Sequence, residues 1–265
     1  MKIRLAALLC FALPVQAVEV DPEALDTLRA DIVILGEVHD NPAHHLNQAR
    51  AVAAIAPKAL VFEMLTPEQA ARATPGLRAD PAGLGQALEW EASGWPDFAL
   101  YAPVFAAAPE AAIHGAALPR AEVRRAMTDG AAAVFGAEAG AYGLAEAPAP
   151  DEQAALEAEQ MEAHCNALPP ELVPGMVAAQ RLRDAAFARA TLRALEETGG
   201  PVVLITGSGH ARTDRGVPAV LARVRPGVSV ISVGQLERPA GPDQPFDRWL
   251  VTDPAPREDP CATLR

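Results

Sequence analysis

Thiols and phenols are scarce in this 265-residue chain, which has three cysteines and two tyrosines, with aromatic residues at 5% of the total. Basic charge is also in deficit: 22 Lys and Arg face 34 Asp and Glu, for a formal net charge of −12. That balance argues against nucleic acid or an anionic lipid surface as a partner, since both reward a basic face. No stretch after the first 17 residues approaches the roughly 20 apolar residues that a membrane-spanning helix needs. There is no glycine-rich phosphate loop of the P-loop or dinucleotide type, and no GxSxG nucleophile elbow. No cysteine has a second thiol nearby, so a structural zinc site built from cysteines is excluded.

What is present begins with an export signal. Residues 1–17, MKIRLAALLCFALPVQA, combine a basic start at Lys2 and Arg4, an apolar run from Leu5 to Leu13 and a small-residue cleavage pattern ending at Ala17. They read as a secretory signal peptide, which implies a periplasmic or otherwise extracytoplasmic protein. A lipid anchor at Cys10 is disfavoured because Leu9 is too bulky and Cys10 lies inside the apolar run. Loss of Lys2 and Arg4 takes the formal charge to −14 and leaves Cys165 and Cys261 in a compartment that permits a disulfide between them.

Apolar runs at Asp31–Gly36 (DIVILG), Ala59–Glu63 (ALVFE), Pro201–Thr206 (PVVLIT) and Val228–Val233 (VSVISV) suit strands buried on both faces. The first two flank a helix capped by Asn41 and ended by Pro57, and the last two flank a helix over about 214–224, giving two strand–helix–strand units. Ala112–Ala116 is a further strand candidate. Residues 129–150 read as a loose connection, and Asp151–Glu197 as two helices broken at Pro169-Pro170. The expected architecture is an α/β domain over residues 18–238: a parallel-dominated central sheet with helices on both faces and a helical insertion over about 129–197. A proline-rich tail, 239–265, is expected to run over the surface.

Two GxxH tetrads stand at equivalent strand ends, Gly36-Glu37-Val38-His39 and Gly207-Ser208-Gly209-His210. The C-terminal ends of parallel strands are where open sheets place ligands. Glu37 and His39, two apart, point the same way in an extended segment, and Gly207 and Gly209 let a backbone turn and a ligand approach. Glu63 ends an apolar strand, where an acid is costly unless paired, although it could instead cap the following helix. A single histidine after a strand is more often a loop residue, but two in matching positions reverse that balance. Ser208 is badly placed for a nucleophile, at least one of His44 and His45 is expected at the surface, and His114 and His164 are read as core or surface residues.

The combination of GEVHDNPAHH, FEML, the helix AQRLRDAAFA with Ala179, Gln180 and Asp184, and GSGHARTDRGVP resembles the ChaN family, haem-binding uptake proteins of the Tiki superfamily. WPDFALYAP at 95–103 and GAALPR at 115–120 match as well, and the likeness covers most of residues 28–235. Phe187 stands where the family pattern leads one to expect methionine, which counts against a thioether ligand there. The resemblance implies haem or iron acquisition outside the cytoplasm, and kinship with Tiki-type metalloproteases, TraB-like proteins and erythromycin esterases.

Two readings follow. In the first, the chain binds haem for uptake, with Tyr101, Tyr142, His39 and His210 as candidate axial ligands, Gly207, Gly209 and Arg212 beside them, and Trp95, Phe98 and Phe105 as an apolar wall beside Tyr101. In the second, Glu37, His39 and His210 hold a divalent metal and Glu63 is the general base of a hydrolase acting on a peptide, ester or amide. The partners expected are haem or another small molecule, an outer-membrane uptake receptor and a second copy in a homodimer.

Overall fold

The computed structural model describes residues 17–259 and 261–262, so the expected signal peptide lies outside the described residues except for Ala17. Seven strands form one sheet: β1 (Val18–Glu19), β2 (Ile32–Glu37), β3 (Ala59–Phe62), β4 (Ala112–Gly115), β5 (Val202–Gly207), β6 (Val230–Leu236) and β7 (Arg248–Val251). All pairings are parallel, in the order β1-β7-β6-β2-β5-β3-β4. The principal helices are α1 (Pro42–Ile55), α2 (Phe98–Ala107), α3 (Pro150–Ala163), α4 (Val173–Thr198) and α5 (Val217–Val224).

The central strands are buried along their whole length, and alternate residues face opposite layers. Val33, Leu35, Leu60, Phe62, Val203 and Ile205 pack on one face with α1 and α2, where Phe62 stacks on Phe105 at 4.3 Å. Ile32, Ile34, Ala59, Val61, Val202 and Leu204 pack on the other with α4 and α5. Helices therefore cover both faces, and α4, from the region read as a helical insertion, packs in the core on the second face. Residues 129–150 include a helix at Ala131–Phe135, with Phe135 and Tyr142 buried on the α4 side.

Local signals explain the helix ends. The Asn41 side chain accepts from the Ala43 N–H at 2.9 Å with Pro42 in the first turn, and α1 stops at Ala56 in the left-handed region (φ 48°) just before Pro57. α4 stops at Gly199, also left-handed (φ 74°).

The two strand–helix–strand units interleave. β5 lies between β2 and β3, while β2 lies between β5 and β6. The chain leaves β2 through α1 on one face and leaves β5 through α5 on the other, so the sheet has its topological switch point between these neighbours, the position at which open α/β sheets bind ligands. The tail departs from expectation: β7 inserts between β1 and β6, and Trp249 and Leu250 are buried. The four-residue strand RWLV carries too little pattern to stand out among its flanking prolines.

Candidate functional site

Glu37 ends β2 and points into the α1–α2 layer, as alternation from Val33 and Leu35 requires. Its Oε1 accepts from the Tyr101 hydroxyl at 2.8 Å and lies 2.7 Å from His39 Nδ1, which donates to it. A turn closed by the Asn41 N–H to the Val38 carbonyl follows and carries His39. Because Nδ1 is committed to a carboxylate, the imidazole is oriented with Nε2 toward Gly207 at the end of β5, and a ring held in this way through one nitrogen is a well-positioned ligand through the other. Among the described residues Nε2 has no protein hydrogen bond. The His39 side chain is 33% exposed and its ring lies 4.7 Å from Trp95, edge to face. Burial pulls His39 toward neutrality, but the bond to Glu37 and the charges of Glu63, Glu37 and Asp40 outweigh it and raise its pKa above the ordinary histidine value.

A second cluster lies across β5. Glu63, directly after β3, is buried; its Oε2 accepts from the Thr206 hydroxyl at 2.6 Å and the Gly207 N–H at 2.8 Å. Thr66, not Glu63, caps the next helix, through a reciprocal pair with Gln69. His210 donates from Nδ1 to Asp184 of α4 at 2.6 Å and turns Nε2 toward Glu63 Oε1 at 3.6 Å. The Gln180 amide lies 3.2 Å from the same Nδ1, and Phe187 contacts the ring edge to face at 4.8 Å. Burial opposes the charged form of both Glu63 and His210. The His210 and His39 charges, Thr206 and Gly207 nevertheless hold Glu63 below the usual carboxylate value, while Glu63 and Asp184 hold His210 above the usual imidazole value.

Glu37, His39, Glu63 and His210 thus gather at one rim, the adjoining C-terminal ends of β2, β5 and β3. Gly207 sits at their centre: a Cβ there would stand 3.0 Å from His39 Nε2 and 3.8 Å from Glu63 Oε2. Gly209 has no such neighbour within 4 Å. The Ser208 hydroxyl donates to the Gln235 carbonyl at 3.0 Å and accepts from the Gln235 N–H at 3.2 Å, so it is engaged with β6.

Several expectations are corrected. Tyr101 is 0% exposed, donates its hydroxyl to Glu37 and has its pKa driven far up by burial and by that carboxylate, so it has no open face for an axial bond. Phe98 and Phe105 pack with it in the core as Phe62 and Trp90 do, leaving Trp95 beside the exposed ring of His39. Arg212 is tied to Asp214 and Glu159. Both His44 and His45 are buried rather than at the surface. Among the described residues no three His, Cys, Asp or Glu side chains are arranged to hold a metal ion, and Glu37, His39 and His210 do not form a triad. Glu37 Oε1 is spent on Tyr101 and His39, and His210 Nδ1 on Asp184.

Beside the rim lies a cleft of about 750 Å³ lined by Glu63, Met64, Trp95, Met127, Met176 and Phe187, among others. Its rim carries Arg120, Arg124 and Arg183, in a chain that is acidic overall. That volume falls in the range of small-molecule sites, about 300–1,000 Å³. A neighbouring cleft of about 640 Å³ lies across Met176 and Arg183 and is lined by Gln180, Asp184, Ser208 and Gly209.

The fold and rim define a doubly covered parallel α/β protein with a candidate site of paired strand-end histidines and carboxylates. The chain belongs to the family described as "Haem-binding uptake, Tiki superfamily, ChaN", whose model matches residues 24–221. It is similar to a solved structure described as "Cofacial heme binding to ChaN of Campylobacter jejuni", with 19% identity over 84% of this chain and 88% of that one and a TM-score of 0.62. No curated protein matches the sequence.

Proposed function

We propose that this chain is an exported haem-binding protein of iron uptake in which the rim of β2, β5 and β3 would hold haem and His39 would be the residue that ligates its iron. One observation carries the assignment of the ligand: His39 alone among the rim histidines is both oriented by a carboxylate and substantially exposed, its side chain 33% accessible against 8% for His210. Haem needs an apolar slot and an axial donor, and the neighbouring cleft supplies Met64, Met127, Met176, Phe187 and Trp95 with three arginines suited to carboxylates. When bound, haem supplies an iron centre whose electronics depend on its axial histidine. Glu37 fixes the His39 tautomer and Trp95 limits the ring's swing, while Arg120, Arg124 and Arg183 would offer guanidinium groups to the ligand's carboxylates. The Cys165–Cys261 disulfide, with Cα atoms 5.4 Å apart, suits an oxidising compartment, and transfer to an outer-membrane receptor or pairing of two copies belongs to the same proposal.

The test is haemin titration of the purified protein. A saturable Soret shift is expected that is lost or displaced in His39→Ala, retained in Tyr101→Phe and weakened in Arg183→Ala. No Soret shift in the unaltered protein would overturn the haem reading, and an unchanged spectrum in His39→Ala would overturn the choice of ligand.

A further inference from the structure

The turn that carries His39 is held from outside by a segment distant in sequence. Arg257 donates from Nε and Nη2 to both carboxylate oxygens of Asp40, at 2.6 and 2.7 Å, and from Nη1 and Nη2 to both oxygens of Glu237, each at 2.6 Å. The Asn41 amide donates to Glu237 Oε1 at 2.7 Å, to the Asp253 carbonyl at 2.9 Å and to Thr252 Oγ1 at 3.3 Å, while its oxygen caps α1. His44 completes the ring of contacts. Its Nδ1 accepts the Val38 N–H at 2.8 Å, so Nε2 is the protonated nitrogen and donates to Thr252 Oγ1 at 2.8 Å. Val38, Asp40 and Asn41, the residues that bracket His39, are therefore each tied to the tail directly or through His44 or Glu237.

This segment follows β7, well past residue 221, where the family match ends. It is anchored a second time four residues beyond Arg257, where Cys261 is bridged to Cys165 just after α3, the helix that walls the smaller cleft.

We infer that the C-terminal segment 252–257 is a working part of the ligand site, with Arg257 and Thr252 as positioning residues that hold the Val38–Asn41 turn and so aim His39. The inference rests on the proposed role of His39, but the clamp itself can be read without ligand. Bidentate guanidinium–carboxylate pairs order both partners more firmly than single surface ion pairs do, and here two share one guanidinium. Releasing it frees the turn to open while the sheet beneath stays closed.

The experiment has two arms, in Arg257→Ala, Arg257→Lys and Thr252→Val. In the ligand-free protein, hydrogen exchange of the amides at 38–45 is expected to quicken by about tenfold in Arg257→Ala, with β2 and β5 amides unchanged. In the haemin titration, affinity is expected to fall by about threefold to tenfold with a displaced Soret band, and Arg257→Lys is expected to restore little because ammonium lacks the planar fork. Unchanged exchange at 38–45 in both Arg257→Ala and Thr252→Val overturns the clamp. Quickened exchange with unaltered haem affinity and spectrum overturns its role in the site. If the unaltered protein binds no haem, the functional reading fails, while the exchange arm still decides whether the tail holds the turn.

Discussion

Gly207 shows how narrowly the site is drawn at the scale of single residues. A methyl group there would press on His39 Nε2 at 3.0 Å, tighter than ordinary contact, so Gly207→Ala is expected to displace the imidazole and weaken haem binding by about tenfold while the fold persists. Gly209→Ala, with open space above it, is expected to leave binding unchanged; equal losses in the two variants by haemin titration would argue against the close approach. The strand-end residues are legible because two GxxH tetrads stand in matching positions after apolar runs, where a single histidine or the lone Glu63 would have a bland explanation. Their pairings are not: Tyr101 and Trp95 stand out in the sequence as ligand and wall and Asp184 as part of a helix, and only the topology brings them against Glu37, His39 and His210. His44 and His45 were misjudged for a related reason. Each is buried against polar groups of the turn and of Glu37, so neither adds to the apolar period by which a buried helix face is recognised.

At the scale of elements, the four central strands β2, β3, β5 and β6 and the helices α1 and α5 follow from apolar runs and helix caps. Interleaving of the two units, which creates the switch point, does not, since pairing partners are a non-local property. The turn after β2 and the tail after β7 meet at His44, and this junction is where acid is expected to act first. Burial lowers the His44 pKa from 6.5 to about 4, and Nδ1 is already an acceptor for the Val38 N–H, so a second proton breaks that bond. The unfolded chain therefore binds a proton between pH 6.5 and 4 that the native one refuses. The His44 contribution is full above pH 6.5 and is lost toward pH 4, by an amount on the order of 3 kcal/mol, while His39 and His210, whose pKa values are raised, contribute in the opposite sense as pH rises. Glu237, held at about 2 chiefly by Arg257, acts in the same direction at lower pH: its contribution is present above 4.5 and fades toward 2. Denaturant unfolding at stepped pH checks this: His44→Gln is expected to flatten the dependence between pH 6.5 and 4, and an unchanged slope would contradict the assignment.

The whole molecule combines an acidic exterior with arginines concentrated at a cleft beside the rim, which suits an apolar ligand bearing carboxylates. Its chain ends are fastened differently. β1 adds two residues at one edge of the sheet, whereas the C-terminus is closed covalently onto the helical region across a separation of 96 residues. A loop of that size restricts the unfolded chain strongly, so reduction, or Cys165→Ser with Cys261→Ser, is expected to cost about 2–5 kcal/mol. Thermal unfolding with and without a reductant measures it, and an unchanged midpoint would show that the bridge contributes no net stability.

In the proposed site His39 is the group that would meet the iron, and imidazole rescue tests that directly. In His39→Gly, haemin is expected to bind with an altered Soret band that free imidazole returns to the position seen in the unaltered protein, because the side chain's place beside Trp95 and Gly207 has been vacated. A His39→Gly spectrum identical to that of the unaltered protein before imidazole is added would contradict the account and move the axial ligand elsewhere.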